Sequence, residues 1–223
     1  MQDMTAFRFV DASDEEVDAL EARYGPLAAA VRELVDATIR TEVDDAETVE
    51  ALRLVREATT HLRRRQVEGS AGIGYNASGR SWSWGNAAVG LRNAVAPPMA
   101  VVHDEDGSTR AEVDLGAAYE GPPGLVHGGV SALLLDHLMG VTASHGMSRV
   151  TVTGTLTLRY LEQLPLGRAV LNGRISGEDG RKVYVEARID GAKGVAVEAE
   201  GVFIVPRWSA FDDVVGAESA PAT

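Results

Sequence analysis

Gly124-Leu125-Val126-His127-Gly128-Gly129-Val130-Ser131-Ala132-Leu133-Leu134-Leu135-Asp136 is the stretch on which the reading of this chain turns. A glycine pair follows a histidine and opens a strongly apolar run that predicts a helix over about 128–144. One carboxylate, Asp136, stands among Leu133, Leu134, Leu135 and Leu138. A charge within a buried helix is costly unless it is paired or used. A glycine turn feeding a helix also leaves backbone N–H groups, at the positive helix end, free for an oxygen. The segment therefore offers a carbonyl or oxyanion site together with a carboxylate base or nucleophile.

Outward from this helix, residues beyond 99 alternate with period two. Strands are predicted at 99–104, 108–115, 149–161, 167–177, 182–190 and 194–205. Asp104-Glu105-Asp106-Gly107 and Glu178-Asp179-Gly180 are hairpin turns, because Asp-Gly supports the positive φ angles such turns require; Asp190 to Gly194 forms a longer one. Two strands, one helix and four strands make an α+β domain in which the helix covers the apolar face of a mainly antiparallel sheet. Residues 1–70 read as an acidic helical extension. One helix starts at the capping box Ser13-Asp14-Glu15-Glu16 and ends near Arg23, where Gly25-Pro26 interrupts it. A second runs over about 26–41, and a third over about 46–65 carries Leu52, Val55, Ala58 and Leu62 on its apolar side. Residues 71–92, rich in Gly, Ser, Asn and Trp, read as a linker or cover with a short strand near 80–84, whose Trp82 and Trp84 either line an acyl tunnel or, the favoured reading, pin the extension to the sheet. The domain proper is expected over 93–206, with a flexible tail at 207–223.

Composition narrows the function classes. The 223 residues carry a net charge of −12, and residues 1–70 alone hold nine arginines against sixteen acids. Such a surface argues against nucleic acid, which needs a basic footprint. No run approaches the roughly 20 apolar residues that span a bilayer, so no membrane partner is expected. There is no cysteine, which excludes disulfides, thiolate metal sites and cysteine nucleophiles; a cytoplasmic location is expected. The histidines lack metal-ligand spacing, and no metal or other cofactor is called for. Gly72-Ile73-Gly74 echoes a dinucleotide loop without a strand before it or a helix after it.

The motif His127-Gly128-Gly129, with Asp136 nine positions after the histidine, resembles the active-site helix of hotdog-fold acyl-CoA thioesterases, in particular the PaaI-like group of the phenylacetate pathway. Asn93-Ala94-Val95-Ala96-Pro97-Pro98-Met99 is similar to that group's Asn-Pro-Leu-x-Pro-Pro loop, and Val152 to Tyr160 to the strand after its helix. The likeness covers about 93–206. It implies a hotdog fold, a long central helix wrapped by the sheet, here with an N-terminal helical extension. It also implies hydrolysis of an acyl-CoA or related thioester at a site shared between two protomers of a homodimer, with a tetramer as the larger alternative.

The resemblance makes Asp136 the catalytic acid, as base or as nucleophile, and favours Gly128 as the N–H that polarises the carbonyl. Thr153, and next to it Thr155, are the hydroxyls that would hold water or the aspartate; the simple alternation of a strand places both on one face. His127 is expected to bond backbone and shape the loop while lining the substrate site, and Gly129 to serve the turn and line that site as well. Arg168 and Arg181, with Arg174 and Lys182, are the basic group available to CoA phosphates. His137 cannot form a dyad with Asp136, since adjacent helical side chains diverge, and His145 is expected to cap the helix end. Two rival readings are a non-catalytic hotdog binder of acyl-CoA or polyketide, with a partner-docking extension, and a hotdog hydratase.

Overall fold

A short strand, β1 (Phe7–Phe9), precedes the first helix, α1 (Asp14–Arg40), which opens on a complete capping box: the Ser13 hydroxyl accepts from Glu16 N while the Glu16 carboxylate accepts from Ser13 N. The computed structural model describes residues 7–97, 99–146 and 148–207. The expected break at Gly25-Pro26 does not occur, and α1 runs through it. Proline removes one intrahelical hydrogen bond, but contacts on both sides of it hold the helix. Val17 and Ala28 are buried, Arg92 stacks 3.8 Å from the Tyr24 ring centroid, and Arg32 donates to the carbonyls of Ala96 and Asn93. Asp44 caps α2 (Asp45–Arg63).

The segment read as a linker carries strands. β2 (Ile73–Tyr75) pairs in parallel with β1 and antiparallel with β3 (Ser81–Trp82). It is tied to α1 by Asn76, which donates to Ala12 O and to the Asp14 carboxylate, and by Arg80, which pairs with Asp18 and Glu21. Trp82 stacks on Trp84, with centroids 5.7 Å apart. These elements form one unit, residues 1–96; the remainder forms a second.

In the second unit, β4 (Ala100–His103) and β5 (Thr109–Leu115) lead into α3 (Gly128–Ala143), followed by β6 (Val152–Tyr160), β7 (Gly167–Asp179), β8 (Lys182–Gly191) and β9 (Gly194–Ile204). The sheet order is β4-β5-β7-β8-β9-β6, antiparallel throughout. This is the hotdog arrangement, with one helix laid on one face of the sheet. Turn glycines adopt positive φ where the Asp-Gly pairs predicted it, at Gly107 and Gly180.

The helix buries Ser131, Leu134, Leu135, Leu138, Met139 and Thr142, one stripe of a 3.6-residue repeat, against Val113, Leu171, Val185, Ile189 and Phe203. Close approach is possible because the strands beneath carry glycines. A Cβ on Gly173 would stand 2.8 Å from Thr142 Oγ1, and one on Gly201 2.8 Å from Met139 Cε. Strand β6 lies at the sheet edge, where it runs antiparallel to α3, since Thr153 meets Asp136 and Tyr160 meets Gly128. The tail at 208–223 and Pro98 of the proline pair lie outside the described residues.

Candidate active site

The N-terminus of α3 is pinned by two side chains, those of His127 and Tyr160. His127 is its N-cap, and its Nδ1 accepts from Gly129 N at 2.9 Å. In the neutral ring this leaves the proton on Nε2. The Gly128 carbonyl accepts from the Tyr160 hydroxyl, also at 2.9 Å. The peptide between Gly128 and Gly129 is therefore held at both ends. Gly128 N is different: it donates to no partner among the described residues. Of the two glycines only Gly128 offers a free N–H at the positive helix end, because the Gly129 N–H is already engaged by the imidazole.

Asp136 lies two turns further along α3. It is not enclosed by the leucines around it in sequence. It sits half-buried on the flank of the apolar stripe, facing β6, with Leu133 39% exposed beside it. The Thr153 hydroxyl donates to Asp136 Oδ1 at 2.8 Å, and no cation lies within ion-pair range among the described residues. A half-buried carboxylate with one hydroxyl donor and no counter-ion keeps lone pairs free for a proton or a carbonyl carbon.

Thr155 does not share this face. A bulge at Gly154 makes Thr153 and Thr155 the partners of the adjacent residues Phe203 and Val202. Neighbours on a strand point to opposite sides, so Thr153 lies on the helix side with buried Phe203 and Thr155 on the other. The mid-strand glycine that looks out of place in the sequence is this bulge.

The arginines do not gather. Arg168 is bonded to Glu112 on the sheet face turned away from α3, and Arg181 at the β7–β8 hairpin donates to Val205 O. The two stand at opposite ends of a 13-residue strand, about 40 Å apart at 3.3 Å per residue, so they form no common phosphate patch. Ser144, not His145, is the C-cap of α3, and His145 follows it with φ 47°. Among the described residues no cluster of His, Cys, Asp or Glu has the form of a metal site.

A thioesterase superfamily protein of known crystal structure is 34% identical to this chain, with 81% of this chain and 94% of that one aligned at a TM-score of 0.72. The chain belongs to the thioesterase superfamily. The superfamily's sequence model matches residues 123–198, which span His127, Gly128, Asp136, Thr153 and Tyr160. The acyl-coenzyme A thioesterase THEM4 of Xenopus laevis is 36% identical over 75 residues, 33% of each chain. The mouse THEM4 is 34% identical over 93 residues, 40% of this chain and 39% of the mouse protein. The chain thus matches between a third and two fifths of the length of these curated relatives. The structural match reaches further than residues 93–206, to which sequence likeness confined it, since residues 97–223 are too few to supply 81% of the chain. Part of the N-terminal unit is therefore shared with that superfamily member.

Tyr160 is the site residue that sequence reasoning passed over. It was visible as the end of the β6 motif, but its bond to Gly128 becomes evident only when β6 is laid against α3. His137 is set apart by its environment. Burial pushes its imidazole below the ordinary value of 6.5, with the Asp136 charge opposing the shift. A depressed folded-state value means that the unfolded chain takes up protons first as pH falls. Stability present above about pH 6.5 should decline below it, and a denaturant midpoint followed from about pH 7.5 to about 5.5 should fall less steeply in His137→Gln than in the parent.

Proposed function

We propose that this protein hydrolyses acyl-CoA or closely related acyl thioesters to the free acid and thiol. The observation that carries the reading is the Thr153–Asp136 pair: a hydroxyl-held carboxylate without a counter-ion, in the segment that the superfamily model matches. The name of the THEM4 relatives supports acyl-CoA as the substrate. The motif built on His127, Gly128, Gly129 and Asp136 favours the PaaI-like group within the superfamily. In this reading the Gly128 N–H holds the carbonyl oxygen as negative charge builds on it. Asp136 either attacks the carbonyl carbon, expelling the thiolate and forming an anhydride that water cleaves, or takes the proton of an attacking water.

The two groups cannot meet one carbonyl within a single chain. Eight residues of helix separate Gly128 from Asp136, about 12 Å at 1.5 Å per residue, whereas each must come within about 3 Å of the reacting group. A second copy that brings its Gly128 to this chain's Asp136 resolves the distance, and we therefore place the site between the protomers of a homodimer. Strand β6 supports this arrangement: it is a nine-residue edge strand with Val152 and Tyr160 exposed, and Leu161 just past its end, a surface that natural sheets seldom leave bare. A cytoplasmic setting goes with this reading.

Thiol release from a panel of short, medium, long and aryl acyl-CoA esters tests the activity. Within that assay Thr153→Val should lose the hydrogen bond to a charged group, about 1.5–3 kcal/mol or roughly 10–100-fold in rate. Thr155→Val, on the opposite face, should leave the rate close to the parent's. Equal loss in both variants would remove Thr153 from the site.

A further inference from the structure

The second helix, α2, has no buried residue along its 19 positions. It does not pack along α1, and its apolar side chains stand in the open, with Leu54 50% and Leu62 52% exposed. Helices of this length are marginal in water without a packed face. At about 100° per residue, Leu54, Ala58, Ala51, Leu62, Val55 and Leu52 fall on one arc of about 160°. Ala51, Val55, Ala58 and Leu62 form its central seam with spacings of four, three and four, the pattern of a helix pair.

The charges flanking that seam are sorted along the axis. Residues 42–50 hold five acids and no base, whereas residues 53–65 hold five arginines and a single acid, Glu57. Arg53 is used within the helix, paired with Glu50 and Glu57. Arg56, Arg63, Arg64 and Arg65 make no ion pair among the described residues, and neither do Glu42, Asp45 and Glu47. On the helical projection, carried two residues past Arg63 through the helical C-cap Arg64, Glu47 and Arg65 lie on one flank of the seam, and Asp45 and Arg63 on the other.

We infer that α2 is a self-pairing surface, which binds α2 of a second copy of this chain in antiparallel orientation about a two-fold axis near Val55. In an antiparallel pair the same flank of each helix meets across the seam, so Glu47 faces the second copy's Arg65 and Asp45 its Arg63. Both flanks place the axis at the same level of the helix, within one residue of Val55. A parallel pair would instead set acids against acids and arginines against arginines. The pattern is self-complementary under two-fold symmetry, as an isologous contact demands, and a foreign partner would not require it. The inference is independent of the hydrolytic reading, and its test does not use activity.

The chain has no cysteine, so single cysteines in the full-length protein report on proximity without background. With a short bismaleimide, Val55→Cys should convert to a species of about twice the mass on a denaturing gel, as the axial position of an isologous contact requires. Thr60→Cys, on the opposite side of the helix, should not. Arg65→Cys alone should remain single, and a mixture of Glu47→Cys and Arg65→Cys proteins should cross-link. Absence of the doubled species at Val55, equal yields at Val55 and Thr60, or self-linking of Arg65→Cys would overturn the proposal.

Discussion

Asp136→Asn, folded and melting with the parent, should release thiol from acyl-CoA at least about 10³-fold more slowly, in the range lost when a general base or nucleophile is removed. The substitution keeps the size of the side chain and an oxygen to accept from Thr153, 2.8 Å away in the parent, so packing of the flank of α3 is preserved. It removes the negative charge and the lone pair that takes a proton or attacks carbon. An amide does neither at neutral pH, so both routes open to Asp136 close together. A folded Asp136→Asn enzyme with the parent's rate would overturn the site. Equal and negligible rates in both proteins, with acyl-CoA still bound, would instead favour the reading of a hotdog binder.

Gly128 allows a comparison that few backbone donors permit. Gly128→Pro deletes the N–H at the first position of α3, where proline is well tolerated because that N–H has no intrahelical partner. The residue before a proline must be extended, and His127 already is, at φ −62° and ψ 132°. A new Cβ meets the Tyr160 ring at 3.3 Å, a tight contact that Gly128→Ala shares while keeping the donor. The difference between the two variants therefore isolates the N–H. The proline variant should be slower than the alanine variant by about 10²–10³-fold in kcat, the usual loss for one oxyanion donor. Similar rates for the two would mean that another group holds the oxygen.

Much of the domain was legible before any coordinates. The strands from β4 to β9 lie close to the period-two segments, and the three turn regions fall on their Asp-Gly or glycine signals, because side-chain alternation and turn chemistry are properties of consecutive residues. Local rules failed where contacts distant in sequence outweighed them. Gly25-Pro26 reads as a break, yet packing at Val17 and Ala28 and the bonds of Arg32 carry α1 across it. Thr153 and Thr155 read as partners on one face, until the extra residue at Gly154 turns one of them over.

The sequence by itself determined that an α+β domain with one covered sheet would form, and that a carboxylate and a glycine turn would share its helix. Helical and strand periods, turn residues and caps act over a few neighbouring positions and are written in order along the chain. Only the tertiary structure decided which N–H remains free: the His127 ring takes that of Gly129 and Tyr160 takes the Gly128 carbonyl, leaving the Gly128 N–H open. It also decided that Thr153 alone reaches Asp136 and that Arg168 and Arg181 stay apart. Hydrogen bonds saturate and side chains occupy one face at a time, so these outcomes depend on which distant residues the fold brings within reach rather than on which are adjacent in sequence.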